Sequence, residues 1–204
     1  MDDAIVQKPK AIILNAVDSA TVSASIDKAQ EEGIRVLVLA RFITDTKIDF
    51  TSALGTVRMG EMGAEECIRL LEEKYGEAKG VILEVMGDTG DNYTILLDKG
   101  FKSITDKYPN IEVVAKDTPG WEMALTVNVV SDQLTKRNDI DVIFVHWDGR
   151  VPSIYPVLEE AGYKKGDIKI INPDTSDTSV VNLGLLDTIV ERKLQAKTPE
   201  LAEW

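Results

Sequence analysis

The amino-acid sequence predicts an α/β fold of doubly wound parallel sheets, with helices covering both faces in a three-layer arrangement. Two observations lead to this class. Short apolar, often β-branched runs recur along the 204 residues, and stretches of helical periodicity separate them. The apolar runs do not alternate with polar residues, as is typical of strands buried on both faces. Strands that alternate with helices are joined by right-handed crossovers, which align the strands in parallel.

Each element follows from its own stretch of sequence. Strands are predicted at residues 11–14, 36–40, 81–85, 111–115, 141–145 and 168–171. Helices are predicted at residues 19–32, 58–75, 91–108, 121–137 and 151–161, where the spacing of apolar residues is helical. Gly33, Gly76 and Gly162 directly follow three of these helices, as helix-ending glycines do. Residues 43–57 are polar without a clear helical period, and we place a boundary there.

Composition bears on the classes of partner. The chain carries 23 Lys and Arg against 35 Asp and Glu, a formal net charge of −12. This acidic balance would repel a phosphate backbone, so we expect no nucleic-acid partner. No apolar run in the sequence approaches the roughly 18 residues of a membrane span. The first residues lack the pattern of a secretory signal, which predicts either a cytosolic protein or a signal outside this chain.

Polar and aromatic side chains directly follow the predicted strands. Ligands of open α/β sheets bind outside the carboxyl ends of the strands, so these residues are candidates for a binding site. They are Asn15, Arg41, Asp88, Asp117, Trp121, Trp147, Asp148, Asn172 and Asp174. Sugars and polyols need such a mixture, because hydroxyls hydrogen-bond to planar polar groups and C–H faces pack on flat rings. The alternative is that Asp148 caps the next helix and Trp147 packs on a neighbouring lobe.

The residues give little support to catalysis. His146 is the single histidine, which excludes a zinc site of several histidines, and Ser153 lies in no G-x-S-x-G elbow. The GDTGD stretch at 87–91 lacks the third glycine and the lysine of phosphate-binding loops. Cys67, the single cysteine, has helical spacing with apolar neighbours and is predicted to be a core residue. We therefore expect no catalytic residue, no metal and no cofactor.

Several segments together carry a resemblance to a known family. They are KAIILNAVDS, EEGIRVLVLAR, GTVRMGEMGAEECIRLL, VILEVMGDTGDN, YPNIEVVAKDTPGW and DVIFVHWD. In order and spacing they resemble the type I periplasmic sugar-binding proteins of ABC transporters, the ribose-binding and related family. The resemblance extends from about residue 4 to residue 192, and it implies a two-lobed fold that closes on its ligand about a hinge.

The resemblance also implies which residues bind the ligand. Asn15, Arg41, Trp121, Trp147, Asp148 and Asp174 match ligand-binding positions of the family, and Trp121 matches the aromatic residue that stacks on the sugar ring. The sequence departs from the family pattern at three places. Ala40 replaces the acid before Arg41, Leu97 replaces a ligand-binding arginine, and Trp147 replaces an asparagine. We expect a pocket less polar than a pentose site.

The resemblance further predicts an incomplete first lobe. It places part of the first lobe and the hinge in residues 1–57, the second lobe in 58–175, and a helix with a return segment in 176–204. Relative to the family, roughly 40–50 residues of an initial strand–helix–strand unit are missing. Because only two convincing strands remain in the first lobe, its sheet would expose an edge and an apolar face. We expect a homo-oligomer, in the simplest case a dimer, whose contact involves residues 1–57 or 186–204. We also expect weak ligand affinity.

The expected function is therefore capture of a sugar or polyol for an ABC permease, without catalysis. The resemblance implies a periplasmic or extracytoplasmic location, with the signal peptide outside this chain. A second class of function shares the same fold, namely the ligand-sensing domain of a lactose-repressor-like transcription regulator. That alternative requires a helix-turn-helix before residue 1.

Overall fold

Two parallel sheets organise the chain. The computed structural model describes residues 1–16, 21–43, 45–53, 55–173 and 188–189. The first sheet has the order β1-β2-β3 and the second the order β5-β4-β6-β7-β8, and every strand pair is parallel. The strands are β1 (Ala11–Leu14), β2 (Arg35–Leu39), β3 (Phe50–Ser52), β4 (Gly80–Val85), β5 (Ile111–Lys116), β6 (Ile140–Val145), β7 (Lys169–Asn172) and β8 (Thr188–Ile189).

The described residues form six α-helices, one before β1 and five between strands. They are α1 (Asp2–Val6), α2 (Ser23–Glu31), α3 (Thr56–Tyr75), α4 (Asn92–Thr105), α5 (Met123–Lys136) and α6 (Val151–Glu160), with 3-10 turns at Pro119–Trp121 and Asp148–Arg150. Gly33, Gly76 and Gly162 have φ of 74°, 74° and 87°, a left-handed conformation that glycine adopts at little steric cost. Their predicted role in ending helices is thereby confirmed. None of the described helices combines the length and apolar character needed to cross a bilayer.

The second sheet is covered on both faces, as its uniformly apolar strands predict. On one face α3 and α4 enclose Ile82, Val142 and Phe144, and on the other α5 and α6 enclose Leu83 and Ile143. All residues of β6 are buried. Cys67 of α3 is fully buried in the first of these cores, which confirms its predicted structural role.

The first sheet contains a strand that the sequence did not predict. Phe50–Ser52, within the polar stretch 43–57, pair with Leu37–Leu39 as a third strand, where only two strands were expected. Burial alternates along β2, which agrees with the exposed apolar face expected of this sheet. Helices α1 and α2 pack on one face only, against residues such as Val36 and Val38. A short apolar strand has the same sequence pattern whether one or both of its faces are covered. The pattern therefore does not distinguish a half-buried strand from a fully buried one.

Candidate ligand-binding cleft

The second sheet has a topological switch point between β4 and β6. Its strand order makes the chain wind outward in opposite directions from these neighbouring strands, because β5 lies beyond β4 and β7 lies beyond β6. In doubly wound sheets the crevice at such a point, outside the carboxyl ends of the strands, binds ligands. Here the crevice lies next to Gly87 and Asp88 after β4, and to Trp147 and Asp148 after β6.

Trp121 and Trp147 meet at this switch point. Their ring centroids lie 6.5 Å apart at an interplanar angle of 85°, an edge-to-face arrangement. Trp147 is 40% exposed and Trp121 is half-buried, and the ring centroids of Tyr93 and Trp121 lie 6.2 Å apart. The structure therefore brings together two of the predicted site residues and adds a tyrosine. Rings of this kind offer flat apolar surfaces to the C–H faces of a ligand.

The loop after β5 holds Trp121 in a constrained position. Trp121 has a φ of 56°, which is uncommon for a non-glycine residue, and it follows Gly120 at 64°. The Asp88 carboxylate accepts hydrogen bonds from the N–H groups of Gly120 and, at 2.6 Å, of Gly90. These two hydrogen bonds lower the pKa of Asp88, with that from Gly120 the larger cause. Gly87 gives the indole room, because a Cβ atom there would overlap the Trp121 ring.

Arg150 lies beside both indoles and is fully buried. Its Cζ is 5.2 Å from the Trp121 ring centroid and 5.8 Å from that of Trp147. Its Nη1 donates to the Met86 carbonyl oxygen at 3.3 Å and to the Thr118 hydroxyl oxygen. Sequence reasoning missed this residue. In a sequence, an arginine next to an apolar helical stretch is typical of a solvent-exposed position. Arg150, however, lies only five residues after the end of β6, a fully buried strand.

Arg41 joins the first sheet to the start of α4. Its Nε and Nη2 donate to the two carboxylate oxygens of Asp91 at 3.0 and 3.2 Å, and its Cζ lies 5.1 Å from the Tyr93 ring centroid. Asp91 is 1% exposed and also accepts a hydrogen bond from the Tyr93 N–H, as an N-cap of α4. Nε and Nη2 of Arg41 are thus paired with a carboxylate of the protein. Nη1 remains as the nitrogen that could donate a hydrogen bond to a ligand.

The other predicted site residues have different surroundings. Asn15 is exposed at the carboxyl end of β1. Asp148 is 1% exposed and is engaged in an interaction within the protein. Asp174 lies outside the described residues. Leu97, where the family pattern has an arginine, is fully buried in the core between α3 and α4.

His146 is a structural residue in the described chain. Its Nδ1 accepts a hydrogen bond from the Gly87 N–H at 3.4 Å, so the proton on Nε2 faces the Glu84 carboxylate, 2.9 Å away. Ser153 donates instead to the Arg150 carbonyl oxygen at 2.7 Å, which leaves no serine–histidine contact. Burial raises the pKa of the Cys67 thiol well above its usual value, which disfavours a reactive thiolate. Within the described residues, no group of three or more His, Cys, Asp or Glu side chains could hold a metal.

Comparisons with known proteins agree with the geometry. Residues 1–190 match a protein family described as periplasmic binding protein domain. The ribose import binding protein of Bacillus subtilis is 26% identical over 203 residues, which cover 100% of this chain and 61% of that protein. The D-apiose import binding protein of Actinobacillus succinogenes is 25% identical over 175 residues, covering 85% of this chain and 54% of that protein. The chain thus spans less than two thirds of the length of these relatives.

A solved structure shows the same fold. The fructose-binding periplasmic domain of a hybrid two-component system superposes with a TM-score of 0.82 at 21% identity, over 92% of this chain and 62% of that one. Because the family match covers nearly the whole chain, and the parallel two-sheet architecture agrees with it, this protein belongs to the periplasmic binding protein domain family.

Proposed function

We propose that this protein binds a sugar or polyol in the crevice beside Trp121 and Trp147 and delivers it to an ABC-type permease. The observation that carries the proposal is the pair of indoles at the switch point of the second sheet, next to the buried Asp148. Flat rings beside carboxylate and guanidinium groups suit a ligand with apolar faces and hydroxyl edges. The relatives named for ribose and D-apiose import support the same ligand class.

The proposed site consists of Asn15, Arg41, Trp121, Trp147, Asp148 and Asp174. Two contacts across the cleft support it, because Arg41 of the first lobe pairs with Asp91, and Asn92 Nδ2 donates to the Phe42 carbonyl oxygen at 2.6 Å. We place the first lobe and hinge in residues 1–57, the second lobe in 58–175 and a return segment in 176–204. The start of α3 at Thr56, just after the first sheet, supports the first boundary.

We further propose that the protein acts outside the cytoplasm and catalyses no reaction. The family match supports the location, and the enclosure of His146 by Glu84 and Gly87 argues against general acid–base chemistry. Ligand binding would then favour the closed arrangement of the lobes through contacts made only in that arrangement. The transcription-regulator alternative has no observation in its favour beyond the shared fold.

Isothermal titration calorimetry with a panel of pentoses, hexoses and their polyols tests this function. We expect at least one neutral member to bind, and Trp147→Ala to weaken its binding by roughly tenfold, the effect of losing about 1.4 kcal/mol of ring contact. Tyr75→Ala is the matched control, since it removes an aromatic side chain of equal exposure (40%) at the end of α3, away from the cleft. Absence of binding both by this panel and by the corresponding sugar acids, or sugar turnover that requires His146, would contradict the proposal.

A further inference from the structure

The guanidinium of Arg150 carries a buried charge without a counter-charge in the described part of the chain. The side chain is 0% exposed, and none of the described carboxylates forms an ion pair with it. Burial alone lowers the pKa of Arg150. Burying a charge costs folding free energy unless a partner offsets it. Arg41, by contrast, has its charge offset by Asp91.

The unpaired atoms of Arg150 form one edge of the guanidinium. Nη1 is held by the Met86 carbonyl and the Thr118 hydroxyl, whereas Nε and Nη2 have no hydrogen-bond partner among the described residues. Nε and Nη2 point their N–H bonds in parallel, and this side-on edge is the one that binds a carboxylate or phosphate through two hydrogen bonds. Because Nη1 faces the end of β4, the side-on edge faces away from that strand.

The guanidinium lies beside the two indoles of the proposed ligand cleft. Trp121 and Trp147 shield it from solvent, and Trp147 is 40% exposed. A ligand whose apolar face packs on these rings would therefore bring its attached groups close to Nε and Nη2. In this low-polarity setting a charge-assisted pair of hydrogen bonds is stronger than it would be in water.

We propose that Arg150 binds the carboxylate of an acidic sugar, so that the preferred ligand is an aldonic or uronic acid and not a neutral sugar. This inference rests on the proposed function, because it assigns the ligand class of the same cleft. Within the described residues this one buried positive charge has no counter-charge, and it matches one monoanion. A phosphate dianion is less suited, because the buried Asp148 lies at the same strand end and the whole chain has a net charge of −12.

Calorimetry with matched ligand pairs tests the inference on the 204-residue chain. The pairs are D-gluconate against D-sorbitol and D-galacturonate against D-galactose, with D-glucose 6-phosphate and sodium acetate as further ligands. We expect one of the two acids to bind at least about tenfold more tightly than its neutral partner. In Arg150→Met, which is apolar and of similar length, that ratio should fall to near one. In Arg150→Lys, which keeps the charge but lacks the side-on edge, part of the preference should remain.

Thermal unfolding supplies a readout that distinguishes a binding residue from a structural one. The preferred acid should raise the Tm of the wild-type chain and of Arg150→Lys, but not that of Arg150→Met. Without ligand, Arg150→Met should have a Tm no lower than that of the wild type, because an apolar side chain replaces an unpaired buried charge. A large fall in the Tm of Arg150→Met would indicate a structural arginine and would overturn the inference.

The other outcomes are equally informative. Neutral sugars that bind as tightly as their acids would overturn the inference while leaving the proposed function intact. Failure of every sugar, polyol and acid to bind would overturn both. An equal Tm shift from acetate would show that the edge binds any adventitious anion only. A preference for D-glucose 6-phosphate over both acids would refute the assignment of a carboxylate.

Discussion

Asp88, just after β4, accepts a hydrogen bond from the Gly120 N–H, which fixes the Trp121 turn to the end of β4, and a second from the Gly90 N–H in its own loop. Because these N–H groups stabilise the carboxylate, the folded-state pKa of Asp88 lies below its usual value of 3.8. Its stabilising contribution is therefore fully present above that value and is lost as the pH falls through the lower folded-state pKa. The relevant window thus lies below pH 3.8.

We predict that Asp88→Ala lowers the free energy of unfolding at neutral pH by about 1 kcal/mol, since the bonds are partly screened by solvent. The difference from the wild type should shrink toward zero as the pH falls through this window. Urea unfolding at a series of pH values measures it. Asp132→Ala, an exposed change on α5, is the control. A difference that grows on acidification would contradict the assigned pKa direction.

Asp141 is a buried carboxylate at the opposite end of the sheet from the cleft. It is 4% exposed and accepts hydrogen bonds from Lys74 Nζ at 2.6 Å, Tyr75 Oη at 2.6 Å and the Val81 N–H at 2.9 Å. Its hydrogen bond raises the pKa of Lys74. This carboxylate therefore ties the end of α3 to β4 and β6.

We predict that Asp141→Ala lowers the free energy of unfolding by roughly 1–3 kcal/mol, because it leaves the buried Val81 N–H without an acceptor. Asp139→Ala, two residues earlier, removes a 58% exposed carboxylate paired with Arg137 and should cost less than about 1 kcal/mol. Chemical denaturation of both variants measures the contrast. Equal losses of unfolding free energy in the two variants would show that the burial of Asp141 does not determine its contribution to stability.

At the scale of elements, the crossing of α3 and α4 depends on glycine. A Cβ atom on Gly100 would overlap the backbone carbonyl of Val57, and one on Gly60 would overlap that of Leu97. The two helices thus approach backbone to backbone. This close approach positions the amino end of α4, where Asp91 receives Arg41.

We predict that Gly100→Ala lowers the free energy of unfolding by roughly 2–3 kcal/mol, although alanine favours the helix, because the helices must separate. Gly55→Ala is the control, since a Cβ atom at this N-cap position meets only the Arg58 Cβ at 4.0 Å. It should cost no more than about 1 kcal/mol, the effect of placing alanine at an N-cap. Thermal and urea unfolding measure both variants. A neutral Gly100→Ala would contradict the close packing.

At the scale of the whole molecule, the first sheet exposes an apolar face. Ile13, Leu37 and Phe50 stand in one row of paired strands, and Ile13 and Phe50 are 70% and 48% exposed. Contiguous apolar surface of this kind favours burial against another surface. We therefore maintain the proposal of a homo-oligomer that uses this face.

We predict that the chain forms dimers at micromolar concentration and that Ile13→Glu makes it monomeric. Val6→Glu should leave the dimer intact, because Val6 is 79% exposed on α1, the helix that covers the opposite face. Size-exclusion chromatography with light scattering measures the mass of each. A wild-type monomer across the concentration range would contradict this proposal, and dissociation by Val6→Glu would place the contact elsewhere.

The sequence by itself determined the fold class, the six main strands and the five longer helices, all within a few residues. These elements depend on local periodicity and on helix-ending residues such as Gly76. Both are features of the sequence itself and do not require contacts between distant segments. The cap on the helix after GDTGD is also local, and Asp91 provides it. The convergence of Trp121 and Trp147 followed from one general rule, that ligand-site residues come after parallel strands.

Only the tertiary structure decided which charges are paired. Arg41 meets Asp91 fifty residues away, and no local pattern links them. Arg150 is buried because two indoles from different loops cover it, although arginine is usually exposed. The strand at Phe50–Ser52 forms because β2 offers it an edge, which a polar stretch does not reveal. Each depends on contacts between distant segments, and these exist only once the sheets have formed.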